Sequence, residues 1–162
     1  MTIKRLTFAG LFLSAIILSG CTIFGPDLEP GADESAIIAR YGKPTAVYPD
    51  GDGALLEYSR FLGQHTWMIR VDENGHFVSR EQVLTVEKFD SIKVGEDDMQ
   101  SVLRIVGQPA EKSFLTLKDY TVWSYRYKEQ NAWNSMMHIK FDRDGIVRDK
   151  ENGLDRLYLQ RN

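Results

Sequence analysis

Apolar residues fall at Ile37, Ile38 and Tyr41, and again 65 positions later at Val102, Leu103 and Val106. The i, i+1, i+4 spacing lays one apolar stripe along a short helix. Each stripe ends in the same punctuation, Gly42-x-Pro44 and Gly107-x-Pro109. Glycine supplies the left-handed residue that closes a helix, and a proline two residues later keeps it from resuming. Asp33 is placed to cap the first helix. Asp97, with Gln100 three residues on, makes a capping-box-like start for the second.

Runs of strand character follow each helix. Residues 55–60 and 121–128 are the first clear ones, then 66–72 and 133–142, each of the latter closing in a polar turn with glycine, 72–75 and 142–145. Short returning strands at 77–80 and 146–148 complete hairpins, and weaker extended pieces stand at 45–48 and 111–115. The offset between copies grows from 65 to 70, which longer hairpin loops in the second copy would absorb at small entropic cost. The pattern predicts an α+β chain of two tandem repeats, 33–90 and 91–162. Each repeat is a short helix (or helix pair) packed on one face of a small antiparallel sheet.

Alternation assigns the faces. Leu56, Tyr58, Trp67, Ile69 and Val71 share one face in the first copy; Trp123, Tyr125, Tyr127, Met137, Ile139 and Phe141 share it in the second. The helix stripe is the expected cover, and each such side chain contributes roughly 1.5–3 kcal/mol on burial. The line Trp123, Tyr125, Tyr127 reads as core ahead of a ligand platform. The opposite face carries Glu57, Ser59, Thr66, Met68 and Arg70, then Ser124, Arg126, Met136, His138 and Lys140. It is either a solvated sheet face or a partner surface, since methionine adapts to irregular contacts and arginine anchors interfaces. On the second reading Met68, Arg70, Arg126, Met136, His138 and Lys140 are the expected partner-binding residues.

The start of the chain changes the picture more than its composition does. Residues 1–5 are short and basic, 6–18 are apolar, and Ser19-Gly20 precede Cys21, the single cysteine. An apolar run of that length is too short to span a bilayer and fits a secretory signal peptide over 1–20. Leu18-Ser19-Gly20-Cys21 resembles the bacterial lipobox. That resemblance implies cleavage before Cys21, a diacylglycerol on its sulfur and an acyl chain on its amine, with Thr22 in place of aspartate favouring the outer membrane. Residues 22–31 hold two prolines and two glycines without periodicity, so 21–32 reads as lipidated cysteine and flexible tether.

Of 162 residues 43% are apolar and 11% aromatic, too many for a disordered chain. The formal charge is −3, or −5 once the first 20 residues with Lys4 and Arg5 are set aside. No basic block is present, which argues against nucleic acid as a partner. One cysteine excludes an intramolecular disulfide and any multi-thiolate zinc site. His65, His76 and His138 share no ligand spacing, and Asp142-x-Asp144-Gly145 reads as a hairpin turn ahead of a calcium loop. The sequence holds no nucleophile elbow, dinucleotide fingerprint or phosphate loop. Glu96-Asp97-Asp98 reads as dipole stabilisation of a helix start. Neither a cofactor nor a metal is expected, and no enzymatic activity.

The order Gly95, capped helix, Gly107-x-Pro109, Trp/Tyr-rich strands and Phe141-Asp-Arg-Asp-Gly145 resembles the SmpA/OmlA (BamE-like) outer-membrane lipoproteins, over 92–148. The first copy is degenerate, with Pro30-Gly31 one residue out of register with Gly95. The tandem pair also resembles the β-lactamase inhibitor protein architecture. The first resemblance implies a non-enzymatic accessory role in outer-membrane protein assembly, and the second a concave protein-binding surface. The expected function is a lipid-anchored interaction module of the outer membrane, facing the periplasm, that supports envelope assembly by binding another envelope protein. The alternative is a lipoprotein that inhibits or senses an enzyme or small ligand through its open sheet face.

Overall fold

The computed structural model describes residues 28–60 and 63–159. The signal peptide at 1–20, Cys21 and the tether as far as residue 27 lie outside the described residues. The element order is α1 (Glu34–Tyr41), β1 (Ala46–Asp50), β2 (Gly53–Ser59), β3 (Thr66–Val71), β4 (Phe77–Gln82), α2 (Val86–Ser91), α3 (Met99–Val106), β5 (Glu111–Leu115), β6 (Tyr120–Glu129), β7 (Trp133–Phe141), β8 (Val147–Leu154) and α4 (Arg156–Leu159). Strands β1–β4 and β5–β8 form two separate four-stranded antiparallel sheets in chain order. This is the duplicated α+β architecture that the sequence pattern predicts.

The duplication holds at the level of single hydrogen bonds. Asp33 accepts from the backbone N–H of Ala36 at the start of α1, and Asp98 from that of Ser101 at the start of α3. Gly42 and Gly107 close those helices at φ of 82° and 80°. The Asp72 carboxylate accepts from the N–H groups of Asn74 and His76, and that of Asp142 from Asp144 and Ile146. Each third strand carries a bulge at the same place, between Arg70 and Val71 and between Lys140 and Phe141.

Four details depart from the sequence reading. The cap of α3 is Asp98 and not Asp97, because a capping carboxylate must stand immediately before the first helical residue, here Met99. Asp97 instead accepts from the N–H of Lys93. The growing offset is only partly loop. Asp50↔Gly53 becomes Leu115↔Tyr120, a longer turn, whereas the remaining insertion extends the paired β6–β7 hairpin to Glu129↔Trp133. Strand β8 continues well past residue 148 through polar residues that show no alternation. Helix α2 is too short for a period to be visible.

The layers explain why one expected face is missing. Ile37 of α1 packs with Leu56, Ile69, Val71 and Phe77 on one side of the first sheet. A second cluster joins Tyr48, Leu55 and Met68, from the other side of that sheet, to Phe89, Ile92, Val102, Leu103 and Val106 of the helical layer. It continues into Trp123, Tyr125, Tyr127, Met137, Ile139 and Phe141 of the second sheet. Helices α2 and α3 therefore lie between the sheets, and the first sheet is covered on both faces. Met68, expected on an open face, is 4% exposed, and Glu57 beside it is 0% exposed.

A polar lock crosses this interface. Glu57 accepts from the Tyr48 hydroxyl at 2.6 Å and from the Gln108 N–H at 3.1 and 3.2 Å, and the Gln108 side-chain amide donates to the Tyr48 hydroxyl at 3.3 Å. Gln64 donates to Asn134 across the same boundary at 2.8 Å. A buried carboxylate is tolerated when donors satisfy it. Here they come from both repeats.

Candidate functional site

The expected partner-binding residues separate into two groups. Arg126, Met136, His138 and Lys140 share the outer face of the second sheet, whereas Met68 is in the core and Arg70 stands at the far end of β3. On the second sheet the cations are already engaged. Arg126 is buried and forms ion pairs with Glu111 and Asp155. Lys140 donates to Asp149 at 2.8 Å and Glu151 at 2.7 Å, bonds that hold its pKa above the ordinary lysine value and those of Asp149 and Glu151 below the carboxylate value. His138 Nδ1 lies 2.8 Å from the Ser124 hydroxyl. Arg70 forms an ion pair with Asp50.

This arrangement follows from β8. Its polar residues Asp149 and Glu151 pair in register with Lys140 and His138, so acids stand beside every base of the face. The chain then turns at buried Asp155 and returns as α4 over one end. Between them a recess of about 370 Å³ is lined by Arg126, Met136, His138, Leu154, Asp155 and Leu157. The bases of this face are thus balanced by neighbouring acids. The face remains the outermost layer of the second repeat.

A second surface was not expected from the sequence. On the α1 side of the first sheet, a groove of about 600 Å³ runs past the end of α1, lined by Tyr41, Lys43, Tyr58, Arg60, His65, Trp67 and Arg80. Helix α1 spans eight residues and stops at Tyr41, short of the β2–β3 hairpin. Trp67, read as core, is consequently 36% exposed. The Arg80 guanidinium lies 4.4 Å from the Trp67 ring centroid and 5.6 Å from that of Tyr41, and donates to the Tyr41 hydroxyl at 3.0 Å. Tyr41 and Tyr58 are in ring contact at 5.7 Å. Burial raises the Tyr58 pKa, and its hydroxyl donates to the Gly42 carbonyl. Thr45, Ser59 and Ile69 complete the lining, and the Glu34 carboxylate is near enough to add to the rise of the Tyr58 pKa. The signal available in sequence was length: the first stripe is too short to cover Trp67 as well as Ile69.

Among the described residues, no three His, Cys, Asp or Glu side chains gather as a metal site, and no helix is long and apolar enough to cross a membrane. Both candidate surfaces offer contact and charge, the means of recognition.

Comparison with known proteins is consistent with the family resemblance in the second repeat. Residues 81–151 match the family described as the outer membrane protein assembly factor BamE domain. No curated protein matches the chain at a significant level. Two solved structures are similar to it. One is a candidate beta-lactamase inhibitor protein from Streptococcus mutans, 15% identical, with 79% of this chain and 86% of that chain covered at a TM-score of 0.36. The other is a DUF4309 family protein from Bacillus subtilis, 15% identical, with 74% and 76% covered at a TM-score of 0.30.

Proposed function

We propose that this chain, BamE-like over residues 81–151, is a lipid-anchored, non-enzymatic module of the outer membrane that faces the periplasm and supports outer-membrane protein assembly by binding another envelope protein. The observation that carries this reading is the family match to an assembly-factor domain. It begins at Glu81 and ends at Glu151, so it takes in α2, α3 and nearly all of the second sheet with its outer face. That face supplies the contact residues: His138 and Lys140 within reach of solvent, and Met136 and Arg126 at the recess beneath α4. The anchor rests on the lipobox-like residues ending at Cys21. Several acyl chains on one residue, at about 0.8 kcal/mol per buried CH₂, would hold the domain at the membrane almost permanently.

Two measurements test this. Cys21→Ser should move the chain out of the outer-membrane fraction, and unchanged fractionation would refute the anchor. A photo-crosslinking residue at His138 should capture a component of the outer-membrane assembly machinery in intact cells, and deletion of the chain should lower outer-membrane protein levels and sensitise cells to large hydrophobic antibiotics. Normal protein levels with an intact barrier would refute the assembly role.

A further inference from the structure

The outer strands of the two sheets are β1, β4, β5 and β8. An outer strand offers a row of unpaired backbone N–H and C=O groups, and folded chains obstruct such rows. Three of these four are obstructed. Strands β4 and β8 are each met at their start by the segment ahead of a helix. Phe77 exchanges backbone bonds with Gly31 at 2.8 Å and Ala32 at 2.7 Å, and Val147 with Gly95 at 2.8 Å and Asp97 at 2.9 Å. Both strands then run on through charged residues, Arg80-Glu81 and Arg148-Asp149-Lys150-Glu151. Strand β1 carries Pro49 and Asp50.

Strand β5 holds the place of β1 in the second repeat, with Phe114 and Leu115 where β1 has Pro49 and Asp50. The registers agree, Pro49↔Ala54 with Phe114↔Thr121 and Asp50↔Gly53 with Leu115↔Tyr120. All five residues of β5 are exposed, Phe114 by 56% and Leu115 by 42%, and Leu117 in the turn that follows is fully exposed. A proline is tolerated in a paired outer strand where the missing N–H would have faced away from its neighbour. By that register Phe114 turns its N–H and C=O away from β6, and Lys112, two residues back, does the same. The charges of β5 are drawn onto its own sheet: Glu111 pairs with Arg126, and the Lys112 ammonium lies 4.8 Å from the Trp123 ring centroid.

We infer that β5 is a docking edge, which takes an extended, amphipathic segment of another protein as an added strand of the second sheet. The occupant is a strand because only a second row of alternating backbone donors and acceptors matches the edge. It is amphipathic because the two sides of β5 differ. Lys112 and Phe114 stand on the helix side with Trp123, whereas Glu111 and Ser113 stand on the outer side with Ser124. Apolar side chains of the segment stack on Phe114 and the Lys112 stem, and polar ones meet Ser113. This contact is distinct from the one proposed at His138, which uses the face of the same sheet and not its rim, so each can fail alone.

A fluorescein-labelled peptide of residues 120–129 is the probe, since Trp123, Tyr125 and Tyr127 alternate in it with Ser124, Arg126 and Lys128. It should bind the full chain in detergent saturably below about 1 mM. N-methylation of one alternate set of its backbone amides should abolish binding, and methylation of the other set should leave it unchanged, because an added strand pairs along one edge only. In the protein, Phe114→Pro with Leu115→Asp installs what β1 already carries in the same register. That chain should bind at least tenfold more weakly at an unchanged melting temperature, and the methylated peptides decide the matter on the unaltered protein. Absence of saturable binding, equal affinity for the doubly substituted chain, or equal effects of the two methylated sets would overturn the inference. So would self-association of the chain that the peptide disrupts and the double substitution removes, which would assign the edge to a second copy.

Discussion

Glu57 of the first sheet lies against Gly107 at the end of α3, so near that a Cβ on residue 107 would stand 2.9 Å from the Glu57 carboxyl carbon. Gly42, its counterpart, has nearly the same φ but nothing within 4 Å of that position. The two glycines separate backbone strain from packing. Gly42→Ala carries the cost of its positive-φ, glycine-only backbone conformation alone, about 1–3 kcal/mol. Gly107→Ala carries that penalty and also displaces a buried carboxylate, so its loss should exceed that of Gly42→Ala by about 1–3 kcal/mol. Urea titration of both variants checks this; equal losses would mean that Glu57 yields without cost.

The bond from Tyr48 to Glu57 should behave as one half of a coupled pair. Tyr48→Phe removes one donor and should cost about 1–2 kcal/mol, while Glu57→Ala strands the Tyr48 hydroxyl and the Gln108 N–H and should cost about 2–4 kcal/mol. The double variant should lose less than the two losses combined, by about 1 kcal/mol, because the stranded hydroxyl is gone. Strict additivity in a double-mutant cycle would show that the groups do not interact.

The helix stripes, the turn aspartates and the strand alternation were legible because each is a local rule with one physical solution. Asp72 and Asp142 organise the same turn wherever they occur. What could not be read was which layer covers which face. Met68 and Arg126 alternate outward as expected, yet the first is buried by the other repeat's helix and the second by the return of the chain at Asp155. Neither contact is encoded within its own strand. Phe89 was missed because a six-residue helix has no measurable period.

Stability should peak on a broad plateau and fall at both ends of the pH scale. Hydrogen bonds from backbone N–H groups hold the Asp33, Asp72, Asp98 and Asp142 carboxyls below their ordinary values. A depressed folded pKa stabilises above the unfolded value and is lost as pH falls through the folded one, so the acid limb should begin near pH 4 and steepen below it. At the other end, burial raises Tyr48 and Tyr125 and carries Tyr127 to about 12, and hydrogen bonds raise Lys140. A raised folded pKa stabilises below the unfolded value, so stability should decline above about pH 10. Asp98→Asn keeps a capping oxygen but cannot titrate. It should flatten the acid limb at nearly unchanged neutral stability, as read by urea titrations from pH 2 to 7; an unaltered limb would exclude Asp98 as a contributor.

Leu103 and Ile38 occupy the same position in the repeat, yet Leu103 is 9% exposed and Ile38 is 40% exposed. The cause is the stacking of layers. Helix α3 has a sheet on each side, so a residue rotated away from its own sheet meets Leu55 and Met68 of the other, whereas α1 has only one sheet beneath it. Leu103→Ala should therefore cost about 2–5 kcal/mol as the transfer and cavity terms combine, and Ile38→Ala well under 1 kcal/mol because its methyls already face water. Unfolding free energies of the two variants would decide the matter directly. Losses of similar size would require α3 to be as open on its outer side as α1, and the two repeats would then be joined by the Glu57 lock without a shared core.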